Sequence, residues 1–152
     1  MGIRNQLAIV IAIGALICSS AYGENAARPE QELLASVNQA RRAQGLPTLR
    51  WDESLATAAR RHAAVMAAHG EAQHQFEGEP SLSVRVKQTG AHYGWLSENV
   101  TVGPNIEYVH NQFMNSPNHR ANVLDRDMDS VGIGVTERGG KLFVVEDFSQ
   151  AH

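Results

Sequence analysis

Apolar positions first acquire a clear period at Leu33, Leu34, Val37 and Ala40, the spacing of one helical face, with Arg41 and Arg42 beginning its polar side. Pro29 suits the first turn of this helix, where a missing N–H costs nothing, and Gly45 suits the left-handed residue that stops it. Leu46 to Trp51 reads as an extended connector pinned to the core by Leu49 and Trp51. Asp52 is a good N-cap for a second helix reaching His69, whose inner stripe is Leu55, Ala59, His62, Met66 and His69. The alanines along that segment favour helix and permit close packing.

Gly70 ends the second helix, and residues 74–80 read as a loop. Ser81 is placed to cap a short helix through Val84 to Gln88, stopped near Gly90. Residues 98–102 carry a strand pattern. Asn105 opens a third long helix through Ile106, Val109, Phe113 and Met114, which must end before Pro117. The period then changes to two. Val131, Ile133 and Val135 alternate with Gly132 and Gly134, and Gly139-Gly140 turns into Leu142-Phe143-Val144-Val145, a β-hairpin pattern. Glycines along one strand face imply that a helix or another backbone approaches closely there. Helices first and a hairpin last give an α+β layered domain.

The N-terminus alters how the rest is weighed. Met1 to Gln6 carries Arg4 and no acid, Leu7 to Ile17 is apolar, and small residues follow at Ser19, Ser20, Ala21 and Gly23. This is the pattern of a secretory signal peptide. The apolar run is well short of the roughly 20 residues that a spanning helix needs. The expected division is a signal peptide at 1–23, a linker at 24–31 and one domain at 32–150. A lipoprotein reading of Cys18 meets a bulky Ile17 where such processing needs a small residue. Cleavage would remove Cys18, the single cysteine, so a thiol protease is excluded and the domain must stand on its core alone. Removing Arg4 leaves 12 basic residues against 16 acidic ones, a formal charge of −4. That balance points to no nucleic-acid surface, no membrane span in the mature form and a secreted or periplasmic monomer.

The chemistry-bearing residues stand beside turn signals. His74 lies in the loop after the second helix, Ser97-Glu98-Asn99 opens a strand, and Asn115-Ser116-Pro117-Asn118-His119-Arg120-Ala121-Asn122 follows the third helix. Two histidines and a glutamate are residue types that a metal or proton-transfer site requires. His74 and His119 are 119 − 74 = 45 positions apart, so only the fold can bring them together. His62 and His69, seven residues or about 10 Å apart along a helix, are too distant to share a metal. His62 reads as a hydrogen-bonded core residue, and His69 as a charge near the negative helix pole. His92 and His110 read as solvated, and Trp51 and Trp95 as core or groove-wall aromatics. No His-Glu-x-x-His, Gly-x-Ser-x-Gly or phosphate-binding glycine loop is present.

Taken in order, His74, Ser97-Glu98-Asn99, Ser116-Pro117-Asn118-His119-Arg120-Ala121-Asn122-Val123-Leu124, Val131-Gly132-Ile133-Gly134-Val135 and Asp147-Phe148 resemble the CAP superfamily of cysteine-rich secretory, antigen 5 and pathogenesis-related 1 proteins. Val37-Asn38-Gln39-Ala40-Arg41 through Gly45-Leu46-Pro47 to Trp51-Asp52 resembles the opening of bacterial members. The resemblance implies an α-β-α sandwich, a small antiparallel sheet between helical layers with a groove over the sheet. It also implies two histidines and two glutamates in that groove, able to bind a divalent cation in some members. Carried over, His74, Glu98 and His119 are the expected ligands of zinc or another divalent cation. Ser97, Asn99, Ser116, Arg120 and Asn122 are the expected groove and structural support, Arg120 and Asn122 by bonding free carbonyls around the Pro117 turn. Ser97 replaces the glycine of the family's Gly-Glu-Asn motif, which is tolerated where φ is negative. Phe113 replaces a tryptophan, and Ser116 falls where the second glutamate would stand. Glu77, Glu107 or Glu146 could replace that acid only if the fold brings one near.

Three functions are compatible with this reading. One is a secreted binding module holding a small amphiphile or a peptide. Another is a metal-assisted hydrolase or protease, since two histidines and a glutamate serve several catalytic zinc sites. The third is an extracellular protein-interaction domain in which the His/Glu cluster is structural.

Overall fold

The protein was described with a computed structural model covering residues 27–150; the expected signal peptide and cleavage site lie outside that range. In chain order the elements are α1 (Arg28–Ala43), β1 (Arg50–Trp51), α2 (Glu53–His69), α3 (Leu82–Lys87), β2 (Trp95–Gly103), α4 (Ile106–Asn115), α5 (Pro117–Val123), β3 (Ser130–Arg138) and β4 (Lys141–Gln150).

Local signals set most of these boundaries. Asp52 accepts hydrogen bonds from the Ser54 and Leu55 amides, and Asn105 accepts from Tyr108, so α2 and α4 start where their caps predict. After α1, Gly45 adopts φ +68°, and the Gly45 and Leu46 amides bond the Arg42 and Arg41 carbonyls, a Schellman closure. Helix α1 nevertheless begins at Arg28, inside the span expected as linker. Glu30 explains this. It is buried, accepts from the Ala27 amide, and pairs with both Nε and Nη2 of Arg60 at 2.8 and 2.7 Å, which fastens the first turn to α2.

The sheet order is β1-β3-β4-β2. Strands β3, β4 and β2 are antiparallel neighbours, but β1 joins β3 in parallel, so the sheet is mixed where a wholly antiparallel one was expected. The connector supplies the fourth strand because Arg50 N–H bonds Asp129 O and Asp52 N–H bonds Val131 O.

Register fixes the two faces. Glu98 lies opposite Asp147, which lies opposite Gly132; Asn99 lies opposite Glu146, which lies opposite Ile133. Side chains of paired residues share a face, and successive residues alternate. One face thus carries Val100, Phe143 and Val145 against Ala59, Ala63 and Met66 of α2. The other carries Val131, Ile133, Val144 and Phe148 against Leu33 and Val37 of α1 and Val109 and Phe113 of α4. The result is the expected helix–sheet–helix sandwich. A Cβ on Gly132 would lie 2.0 Å from the Ala56 nitrogen, and one on Gly134 would lie 2.2 Å from the Ala59 carbonyl carbon. The glycine stripe is the seat of α2.

Two arginines are buried in the fold. Arg41, expected on the polar side of α1, is fully buried. Its guanidinium donates to the carbonyls of Pro47, Val123, Asp125 and Met128 at 2.7–3.1 Å. Arg120, expected to bond carbonyls around the Pro117 turn, instead has its side chain at the surface of α5. Arg85, on the short helix α3, is the second and belongs to the site.

Candidate functional site

The site is organised by two consecutive residues of β2. Glu98 and Asn99 are both buried, and strand alternation sends them to opposite faces of the sheet. Each builds one wall.

Glu98 builds the wall on the α2 side. Its Oε1 lies 2.9 Å from His74 Nδ1, and since a carboxylate accepts, Nδ1 carries the proton and Nε2 is the ring's remaining nitrogen. Its Oε2 accepts from Arg85 Nη2. Arg85 also donates from Nη1 to the carbonyls of His74, at 3.0 Å, and Pro80, at 3.3 Å. The 74–80 loop is thereby drawn to the strand. The same loop is held from beneath by His62, buried as expected, with Nδ1 at 2.7 Å from Glu79 and Nε2 at 2.8 Å from Gln73 O. The His74 side chain itself is 62% exposed while Glu98 and Arg85 are 3% and 5% exposed, so a surface imidazole stands on a buried ion pair.

Asn99 builds the opposite wall. Its Nδ2 donates to His119 O at 3.1 Å and to Glu146 Oε2 at 3.0 Å, and its Oδ1 accepts from Asn122 at 2.8 Å. Asn122 also reaches Glu98 O at 3.4 Å. Helix α5 is thus clasped to β2, and the His119 ring meets Phe113 edge-on at 5.3 Å between centroids. Among the expected supporting residues, Asn99 and Asn122 make these bonds. Ser97 Oγ is buried with no partner among the described atoms, and Ser116 ends α4 and begins α5 through its backbone. Among the described residues only glycines have positive φ, so Ser97 stands without strain where the family has glycine. Trp95 is 63% exposed and is not a core residue.

The electrostatics pull the two imidazoles apart. The Glu98 hydrogen bond raises the His74 pKa above 6.5, against the opposing effects of burial and of the Arg85 charge. Burial, and then the neighbouring His74, lower that of His119. His110, expected to be solvated, is half-buried and also lowered by burial. Beneath lie two fully buried acids. Burial pushes Glu146 up to about 8, with Asn99 opposing. Asp147, opposite Glu98, is driven well above the usual range by burial and then by the Glu98 charge. Neither Asp147 oxygen meets a donor in hydrogen-bond geometry among the described residues.

Of the three expected cation ligands, His74 and Glu98 are in contact and His119 is their neighbour across the strand edge. Among the described residues, no three His, Cys, Asp or Glu side chains converge as a cation cage. Both Glu98 oxygens are committed, one to an imidazole and one to a guanidinium, so the residues do not fit a three-ligand metal centre as arranged. Of the acids considered for the fourth position, Glu77 and Glu107 are exposed, and Glu146 lies beneath Asn99. Arg85 escaped the sequence reading, and Asp147 entered it only within the Asp147-Phe148 motif, without a role. The one trace of that role is the cross-strand register opposite Glu98, and Arg85 sits between two valines with no periodic signal.

Residues 34–148 match the family described as cysteine-rich secretory protein family, CAP. The chain belongs to that family. It is 32% identical over 111 residues to the uncharacterised protein YkwD of Bacillus subtilis (strain 168), a match covering 72% of this chain and 43% of that protein. The chain therefore spans less than half the length of that relative. Two solved structures share the fold. One is an extracellular protein containing an SCP domain from Bacillus anthracis str. Ames (TM-score 0.75, 23% identity, 80% of this chain and 40% of that one). The other is an outer surface protein of Borrelia burgdorferi (TM-score 0.74, 19% identity, 80% of this chain and 92% of that one). Among the described residues, no helix is long and apolar enough to cross a membrane.

Proposed function

We propose that this is an exported, extracellular or periplasmic binding domain that holds a small amphiphile or a peptide in the cleft between His74 and His119. The observation that carries this reading is the buried ion pair beneath an exposed imidazole. Burying Arg85 against Glu98, with the fully buried acid Asp147 alongside, costs desolvation that an apolar packing would avoid. Such an arrangement is expected where a surface group must be held in one orientation and protonation state. In this reading Glu98 orients His74, Asn99 and Asn122 seat α5, and the imidazoles meet the ligand's polar end. Export draws support from family membership and from relatives described as extracellular or outer-surface proteins.

A second reading, hydrolysis by proton transfer, draws support from the opposite displacement of the two imidazoles. Neighbouring groups driven apart in pKa can divide the work of acid and base, here His74 as acid and His119 as base.

Native mass spectrometry of protein exported by its own host tests the first reading. A bound small molecule or peptide that is lost on combined His74→Ala and His119→Ala supports it. Protein that is empty, and whose pull-down returns only a protein partner, overturns it in favour of an interaction domain. Turnover of peptide or ester substrates, lost on His119→Ala, would instead establish the hydrolase.

A further inference from the structure

The carboxylate that would be expected to attract a divalent cation already has one. Arg85 is 5% exposed and reaches Glu98 Oε2 through Nη2, while Nη1 holds the His74 and Pro80 carbonyls. Glu79 Oε1 lies 3.9 Å from the same Nη1. Asp147 pairs with Glu98 across the strands, so the guanidinium charge is set among three acids and two carbonyls. Those are the oxygen donors that a hard cation would seek. A divalent ion reaching Glu98 must displace a guanidinium whose bonds it cannot replace or lie beside it, and like charges repel strongly where water is excluded. Position 116, where the resemblance implied a second acid, is serine and adds no charge to draw a metal in.

We propose that Arg85 is the resident cation of this site, taking at Glu98 the place of a divalent metal, so that the cleft operates as a metal-free pair of imidazoles. The substitution changes how the site responds to its surroundings. A metal is stripped by chelators and by protonation of its histidines. A guanidinium stays charged at every physiological pH and is tethered by its own chain. The orientation of His74 therefore survives chelation. The proposal rests on reading the His74–His119 cleft as the working site, but ligand capture is not among its readouts, so the two can fail separately.

The test is a zinc chloride titration of the wild type, Arg85→Gln and Arg85→Lys, followed by histidine NMR and calorimetry. In the wild type, zinc is expected to move the His74 and His119 resonances no more than that of His92, outside the cleft. Arg85→Gln uncovers Glu98, and zinc should then bind at least tenfold more tightly, with the His74 and His119 resonances moving together. Arg85→Lys restores the charge and should respond like the wild type. The same spectra should show the His74 pKa higher in Arg85→Gln than in the wild type, since Arg85 lowers it. Wild-type zinc binding at His74 and His119 as tight as in Arg85→Gln overturns the proposal, as does a folded Arg85→Gln that gains nothing. Should Arg85→Gln fail to fold, the wild-type titration decides alone: silence at His74 and His119 supports the resident cation, and a selective response there refutes it.

Discussion

His74 and Glu146 show how single side chains store a pH response. His74 has its folded pKa raised, so its favourable contact with Glu98 is fully present below about 6.5 and fades as pH rises through the higher folded value. An NMR titration should place His74 above 6.5 and His119 below it, and Glu98→Gln should bring His74 down. A wild-type His74 titrating below His119 would contradict the site's electrostatics. For Glu146, raised to about 8, the native state holds a proton that the unfolded chain has released above about 4.5. Stability should therefore fall between those values and level off above them. Glu146→Gln keeps an acceptor for Asn99 and removes the ionisation, so at pH 8 it should be more stable than the wild type by on the order of a few kcal/mol. Chemical denaturation at pH 5 and pH 8 checks this. A wild type whose stability is level across that range would refute it.

Among elements, the contact between α2 and the sheet is the most demanding. Helix α2 rests on Gly132 and Gly134 so closely that any Cβ strikes helix backbone, which cannot swing aside as a side chain can. Gly134→Ala should lower stability by at least the roughly 1–3 kcal/mol typical of overpacking, and Gly134→Val by more. An unchanged melting temperature would mean that the layers separate easily. That a helix or another backbone must approach there was legible beforehand, because alternating glycines on one strand face are a sequence pattern; that it is α2 was not. The caps Asp52 and Asn105 and the stop at Gly45 were legible for the same reason, each being local chemistry. Helix α5 and strand β1 were not. Seven residues from Pro117 are too few to show a period, and the two residues of β1 become a strand only because β3 offers them a partner.

Across the whole molecule, the unread parts are the long-range ones. Arg41 reads as surface in a helical period, yet it joins α1 to the Pro47 turn, the end of α5 and the loop before β3. Arg41→Met should cost at least about 3 kcal/mol, since buried carbonyls are left without donors. Arg41→Lys should recover little, as a single ammonium cannot reproduce the fork. Urea unfolding of both variants measures this, and a lysine variant as stable as the wild type would contradict it. The candidate site divides in the same manner. His74, Glu98, Asn99, His119 and Asn122 could be picked out as residues, but that Glu98 answers to Arg85 rather than to a third ligand depends on the placement of α3, which no spacing reveals.

The two halves of the site are attached to neighbouring positions of one strand, a single peptide bond apart. A deletion or insertion of one residue in β2 ahead of these positions would turn the acid towards the α5 face and the amide towards the α2 face. The acid would then lose its guanidinium, and His119 would lose the amide donor to its carbonyl, in the same event. Variation in this protein can therefore proceed by exchanging side chains at positions 98 and 99, or by remodelling the 74–80 loop and α5. It cannot proceed by changing the length of the strand that carries them.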